Sequence, residues 1–237
     1  EIPKITPGES QPDSERVSSF VYPGGILAVH AKGRGKDEIW NALQTKNVYG
    51  TSGPRILLWF DLINSPQGQV PMGSEITMSQ NPKFIVKAAG SFKQNPGCSN
   101  ESIDSLSPGR LEYLCAGECY NPSNEREVIK RIEIIKITPQ IYAGEAVSPL
   151  IQDPWKSIPC QGSGECIVEF EDQNFSRDSV YYVRAIQNPT PAINGSTLSK
   201  RGNFDLCKGS FRTNLKDDCL SMTNERAWSS PIYVNKP

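Results

Sequence analysis

The turn Gly50-Thr51-Ser52-Gly53-Pro54-Arg55 carries the residue types best suited to binding an anion. Glycine and proline favour a tight turn, and the Thr51 and Ser52 hydroxyls can hold an anion together with free backbone N–H groups. The guanidinium of Arg55 can add a bidentate contact to a phosphate or carboxylate. We therefore predict that Thr51, Ser52 and Arg55 bind substrate. In the alternative interpretation the turn is structural and Arg55 pairs with a nearby aspartate.

His30 is the only histidine of the chain and lies in the apolar run Gly25–Ala31. These neighbours favour a packed or hydrogen-bonded core histidine. The alternative places its imidazole at the mouth of an active site, and on that alternative we include His30 among the predicted substrate-binding residues. A catalytic metal centre needs several carboxylate or imidazole ligands around the ion. One histidine cannot supply the usual set, and we predict neither metal-binding nor catalytic residues in this chain.

Seven cysteines indicate disulfide bonds rather than a metal site. They lack the C-x2-C knuckles of zinc sites and lie mostly in loops rich in Gly, Asn, Ser and Pro. Such loops are typical of disulfide-bonded proteins in an oxidising compartment. We expect a periplasmic or secreted protein with local pairs Cys160–Cys166 and Cys207–Cys219. A third pair is expected between two of Cys98, Cys115 and Cys119, and the spacing does not decide which two.

Composition excludes several kinds of partner. The net charge is −1 and the charged residues are interspersed, so no basic stripe is available for nucleic acid. The longest apolar runs, such as Ile56–Phe60 and Ile132–Ile137, are too short to span a bilayer. Four tryptophans stand in apolar or turn contexts, which favours core packing over a carbohydrate-binding platform. They are Trp40, Trp59, Trp155 and Trp228.

The elements that would position these residues change character along the chain. Residues 1–23 have no apolar period and predict an extended arm. The run Gly25–Ala31 is typical of a parallel strand buried on both faces, and 36–45 has apolar residues at helical spacing. A strong strand at 55–62 completes a strand–helix–strand unit. A buried strand cannot stand at an open edge, so 25–31 should pair with an N-terminal polypeptide, a second copy or the rest of this chain.

The chain after residue 64 is predicted to be mostly β. Apolar and polar residues alternate in short runs joined by long Pro/Gly/Asn loops, which favours an antiparallel β-sandwich. The segment 102–106 predicts a single helical turn, because Pro108-Gly109 would stop anything longer. The predicted strands are 73–78, 83–90, 128–138, 166–170, 179–187 and 227–234.

Several stretches, in this order and spacing, resemble one bacterial family. The three leading ones are Pro23-Gly-Gly-Ile-Leu-Ala-Val-His-Ala31, Asp37-Glu-Ile-Trp-Asn-Ala-Leu43 and Val48-Tyr-Gly-Thr-Ser-Gly-Pro-Arg-Ile56; segments at 118–123, 153–155, 181–187 and 227–232 add to them. The family they resemble is domain-of-unknown-function family 3604 (DUF3604), whose catalytic part looks like the PHP (polymerase and histidinol phosphatase) phosphoesterases.

The resemblance implies that this chain is one part of a larger protein. Residues 24–62 would be the C-terminal piece of a PHP-like β/α barrel, and 63–237 a disulfide-braced sandwich. Divalent metal ions would be held in an N-terminal part, by His-x-His and Asp-x-His motifs that do not occur here. The chain would be the C-terminal portion of an exported metal-dependent phosphoesterase, inactive alone, with the N-terminal part or a second copy as partner. The alternative is a non-catalytic interaction or scaffold module.

Overall fold

The computed structural model describes residues 24–115, 120–162, 164–193 and 220–237. Within these ranges the chain forms fourteen strands and three α-helices. The strands are β1 Ile26–Val29, β2 Val48–Thr51, β3 Leu57–Ser65, β4 Gly68–Pro71, β5 Glu75–Thr77, β6 Lys83–Ala89, β7 Phe92–Pro96, β8 Tyr120–Arg126, β9 Ile129–Ile137, β10 Ile151–Pro159, β11 Glu165–Glu171, β12 Ser179–Ile193, β13 Leu220–Ser229 and β14 Ile232–Asn235. The helices are α1 Lys36–Gln44, α2 Asn100–Ser105 and α3 Pro108–Cys115, with a 3-10 turn at Ser148–Leu150.

The chain divides into two compact units. The larger consists of Gly25–Asn188 and Asn224–Pro237, and every site discussed below lies within it. The smaller takes in Glu1–Gly24 and Pro189–Thr223. The described residues of this smaller unit are Gly24, the end of β12 and the start of β13.

A large sheet is organised around β12. Its strand order is β1-β2-β13-β12-β14-β5, and β12 also pairs with β9, which in turn pairs with β10. Most of these pairs are antiparallel, as predicted, but β14 and β5 run parallel. This parallel pair is a departure from the purely antiparallel sandwich that the sequence favours.

A smaller antiparallel sheet, ordered β11-β6-β3-β4, supplies the opposite side of the core. In β3 the side chains of Leu58, Phe60 and Leu62 are fully buried, whereas the intervening Trp59 is exposed. The same alternation in β6 buries Phe84 and Val86. A strand turns successive side chains to opposite faces, so these rows define the inner face of the sheet.

The two sheets bury their inner faces against each other. Side chains from both belong to one hydrophobic cluster. The ring centroids of Phe84, in the small sheet, and Tyr181, in the large sheet, lie 4.8 Å apart. Phe170 stacks on Phe84 at 4.9 Å. The prediction of a mainly β protein with antiparallel sheets is therefore confirmed.

The strand–helix–strand segment differs from the prediction. β1 pairs antiparallel with β2, and its Leu27 side chain is 58% exposed, so a parallel strand buried on both faces was the wrong expectation. The two leading residues of β1 are exposed and the next two are half-buried, so the apolar run is buried on neither face. β2 in turn pairs antiparallel with β13 of the large sheet. One edge of β1 is therefore joined to the rest of this chain, which was one of the three predicted pairings. β3 crosses the predicted boundary at residue 62 and belongs to the small sheet. The described residues show no separate barrel piece.

Other elements were missed or misplaced. Pro108 begins α3 instead of ending helical structure, because proline needs no N–H donor in the first helical turn. The two-stranded sheet of β7 and β8 and the strand β10 were not predicted. The predicted arm, 1–23, lies outside the described residues. Trp40 and Trp59 are 60% and 40% exposed, so core packing is wrong for these two tryptophans.

The cysteines follow the prediction where the structure describes them. Cys160 and Cys166 form a disulfide with a Cα–Cα distance of 5.7 Å, and Cys98 is also disulfide-bonded. The side chain of Cys115, together with Cys119, Cys207 and Cys219, lies outside the described residues. None of the helices in the described ranges has the length and apolarity needed to cross a membrane.

Candidate functional site

The Thr51–Arg55 turn is held by β13. Thr51 pairs with Ala227 at the end of β2, and its buried hydroxyl accepts a hydrogen bond of 3.2 Å from the Gly53 N–H. The Ser52 N–H donates to the carbonyl of Arg226 at 2.9 Å. The Arg226 N–H returns a bond of 2.9 Å to the Ser52 hydroxyl oxygen. The turn is therefore fixed by reciprocal bonds to a strand far away in sequence.

A buried carboxylate faces the same turn. The Ser52 hydroxyl donates to Glu225 Oε2, and Glu225 is only 5% exposed. Burial raises the pKa of this carboxyl above its ordinary value, although the Ser52 hydrogen bond and the charge of Arg226 act in the opposite direction. A buried group whose charged form is disfavoured is a common feature of functional sites.

These contacts limit the chemistry available to the turn. The Ser52 proton is committed to Glu225 and its oxygen to Arg226, so an incoming anion would have to displace the carboxylate. Arg55 is exposed, and within the described ranges the structure records neither a hydrogen bond nor an ion pair for its guanidinium. Anion binding by Thr51, Ser52 and Arg55 stays a prediction, and the geometry favours the structural interpretation of Ser52.

His30 joins the two sheets. Its Nε2 lies 2.8 Å from the carbonyl oxygen of Leu58, and because a carbonyl only accepts, Nε2 carries the proton. The half-buried ring packs near Tyr49 at 5.2 Å and Trp59 at 5.7 Å. This environment matches a hydrogen-bonded core histidine. Burial raises the pKa of the neighbouring Tyr49 hydroxyl.

The structure does not bring His30 to the turn. The backbone N–H of His30 donates to the carbonyl of Asn47, the residue just before β2, at 3.0 Å. Thr51 stands four residues further along β2, roughly 13 Å away at about 3.3 Å per residue. The four predicted substrate-binding residues therefore lie in two separate places, at opposite ends of the β1–β2 pair.

An exposed apolar face is the other notable feature of this region. Ala42 is the buried residue of α1, whereas Ile39, Trp40 and Leu43 are 38%, 60% and 36% exposed. Spacings of one and four residues put these three side chains on one side of the helix. Leu27 and its neighbour in β1 are exposed as well. Here "the α1 face" means Ile39, Trp40 and Leu43.

The described ranges contain no group of three or more His, Cys, Asp or Glu side chains that could hold a metal ion. The expectation that metal ligands lie in another part of the protein is untested. Glu225 was missed because the predicted strand began at Ala227, whereas β13 begins at Leu220. The signal that could have found it is alternation: Glu225, Ala227 and Ser229 form one buried row of β13.

Comparison with known protein families shows which family the chain belongs to. The model of the family described as "Protein of unknown function (DUF3604)" matches residues 4–96 and 157–236, more than half of the chain. The chain belongs to the DUF3604 family. The DUF3604 match includes the Thr51–Arg55 turn and Glu225, and the unmatched segment between its two parts contains α2, α3, β8, β9 and most of β10. No curated protein matches the chain, and no solved structure does.

Proposed function

We propose that this chain is the C-terminal, non-catalytic portion of an exported PHP-like metal-dependent phosphoesterase. The observation that carries the proposal is the exposed α1 face together with the outer edge of β1, which pairs with no further strand among the described residues. Exposed apolar patches of this kind mark surfaces that pack against another polypeptide. An edge strand also presents unpaired N–H and C=O groups that invite a partner.

In this proposal the occupant of the α1 face is the N-terminal catalytic part of the same protein. The resemblance described above places the His-x-His and Asp-x-His metal ligands in that part, and 24–62 would lie against its barrel. The metal ions would polarise a phosphate ester and activate water. The residues of this chain would support that site and exclude water from it. The disulfide Cys160–Cys166 is typical of periplasmic and secreted proteins, which supports export.

The test compares the full-length protein with this chain alone. Metal content is measured by inductively coupled plasma mass spectrometry, and turnover with 4-nitrophenyl phosphate and bis(4-nitrophenyl) phosphate. We expect bound divalent metal and hydrolysis in the full-length protein and neither in the isolated chain. A metal-free, inactive full-length protein would overturn the proposal. So would metal-dependent turnover by the isolated chain.

A surface variant tests the location of the contact. Trp40→Glu in the full-length protein should lower activity and thermal stability, because it places a charge in the apolar contact. In the isolated chain the same change should be nearly neutral, since Trp40 is exposed. Ile167→Glu is the matched control, because Ile167 is 64% exposed on β11 of the small sheet. Equal effects of the two variants on the full-length protein would remove the α1 face from the proposal.

The second candidate is a non-catalytic interaction module in which a second copy covers the same face. The outer edge of β1 favours it, because two such edges can pair. Sedimentation of the isolated chain distinguishes the candidates: a dimer abolished by Trp40→Glu, together with an inactive full-length protein, supports the module.

A further inference from the structure

A cavity of about 350 Å³ opens at one end of the sandwich, away from the four predicted substrate-binding residues. Trp155, one of the four tryptophans considered above, lines it. The cavity lies where β9 and β11 end and where β10 and β12 begin. Its walls come from these strand ends and from the loop between β11 and β12. The side chains that matter are Lys136, Gln152, Trp155, Asp172, Asn174 and Arg177.

The floor of the cavity holds a buried ion pair. Lys136 Nζ donates to Asp172 Oδ2. The Tyr181 hydroxyl donates to the same carboxylate at 2.5 Å, and the Asn174 N–H donates to Asp172 Oδ1 at 3.1 Å. Three donors thus fix the carboxylate, whose side chain is 1% exposed.

Charge in the cavity is balanced. Arg177, the second lining cation, pairs with Glu145 at 2.8 Å, and Lys136 pairs with Asp172. Each cation therefore has its own carboxylate, and the cavity offers little net field to attract an ionic ligand. A charged ligand would have to break one of these pairs, which is costly where the groups are buried.

Neutral hydrogen-bonding groups complete the walls. The amides of Gln152 and Asn174 each offer donors and an acceptor, and both residues are exposed at the rim. Lys136 carries three N–H donors, of which Asp172 takes one. The indole of the half-buried Trp155 completes the lining, with the ammonium groups of Lys156 and Lys136 4.2 and 5.3 Å from its ring centroid. The volume falls at the small end of ligand-binding pockets.

We propose that this cavity binds a neutral polyhydroxy ligand of the mono- or disaccharide class. Hydroxyl groups both donate and accept, so they can bond to the Gln152 and Asn174 amides and accept from the Lys136 ammonium group without disturbing the ion pairs. The C–H groups of a sugar ring can contact the part of the Trp155 indole that lines the cavity. The proposal is independent of the phosphoesterase proposal, because none of its residues belongs to the α1 face or the Thr51–Arg55 turn.

The test is binding of glucose, galactose, mannose, N-acetylglucosamine, maltose and cellobiose to the purified, disulfide-intact chain. Saturation-transfer NMR detects binding and calorimetry gives the affinity. The double variant Gln152→Ala/Asn174→Ala should weaken binding about tenfold or more, since each lost hydrogen bond contributes on the order of 1 kcal/mol. Gln173→Ala is the matched control: this exposed residue neighbours Asn174, and its side chain is not among those that line the cavity.

The expected result is millimolar or tighter binding of at least one sugar, unchanged in the control variant and lost in the double variant. All three proteins should show the same unfolding midpoint, because the altered side chains are exposed. Absence of binding to every sugar at millimolar concentration would overturn the proposal. Equal affinity in the double variant would also do so, as would preferential binding of inorganic phosphate or citrate in the cavity.

Discussion

Replacing Asp172 with alanine would leave the Lys136 ammonium buried without its carboxylate. Lys136 is 10% exposed at its side chain and Asp172 is 1% exposed, so water can compensate little of the loss. Removing one partner of a buried ion pair costs about 3–5 kcal/mol. The Tyr181 hydroxyl would lose its acceptor as well. We therefore expect Asp172→Ala to lower the free energy of unfolding by about 4 kcal/mol, a large fraction of the total for a domain.

A double-mutant cycle separates the ion pair from the packing around it. Lys136→Met removes the charge that needs compensation and keeps an unbranched apolar side chain near Trp155. The double variant Lys136→Met/Asp172→Ala should be at least about 1 kcal/mol more stable than additivity of Lys136→Met and Asp172→Ala predicts, because it removes both buried charges together. Urea unfolding followed by tryptophan fluorescence, with the disulfides intact, measures all four proteins.

The effect also depends on pH. Burial alone would raise the pKa of Asp172, but hydrogen bonds from Lys136 and Tyr181 and the charge of Lys136 outweigh it and hold the pKa below its ordinary value. A carboxyl with a depressed folded-state pKa contributes stability above about pH 4, its unfolded pKa, and loses it as pH falls through the folded pKa. The Asp172→Ala variant should lack this acid-dependent loss. A cost below about 1 kcal/mol at pH 7, or an unchanged acid dependence, would refute the reasoning.

Two further variants test other contacts. Replacing Cys160 and Cys166 with serine removes a disulfide with a sequence separation of 6, and loop closure predicts a loss of about 2 kcal/mol; an unchanged urea midpoint would contradict this. Gly90→Ala would drive a β-carbon into the carbonyl oxygen of Glu127 and should cost about 1–3 kcal/mol. Gly50→Ala is its control, since the nearest atom there is 4.0 Å away, and thermal unfolding should separate the two variants clearly.

Local periodicity made much of the fold predictable. The alternation through Leu58, Phe60 and Leu62 states which face of β3 is buried, and it needs no knowledge of distant residues. Cys160 and Cys166 could be paired because few residues separate them. Both are short-range properties of the chain. The structure confirms the predicted Cys160–Cys166 pair and shows the alternation in β3.

Long-range partners were not predictable in the same way. The bond between His30 and the Leu58 carbonyl depends on how the two sheets meet. The Ser52–Glu225 contact joins residues 173 positions apart in the sequence. The apolar residues of α1 recur at the same helical spacing whether the helix packs against a core or against another polypeptide. The sequence therefore could not reveal that Trp40 is exposed. The cavity was missed because Lys136 and Asp172 come from different strands, and only packing brings them together.

The parallel pair of β14 with β5 limits the order in which the two sheets can form during synthesis. A ribosome adds about 5–20 residues per second, so it finishes Asn235 on the order of ten seconds after it finishes Thr77. β5 has no neighbour on that side until then, and β2 likewise waits for β13. The small sheet, whose strands β3, β4 and β6 follow each other closely, can form while the large sheet is still incomplete. The nascent chain therefore passes through a stage in which β3, β4 and β6 can be paired while the large sheet still lacks β13 and β14.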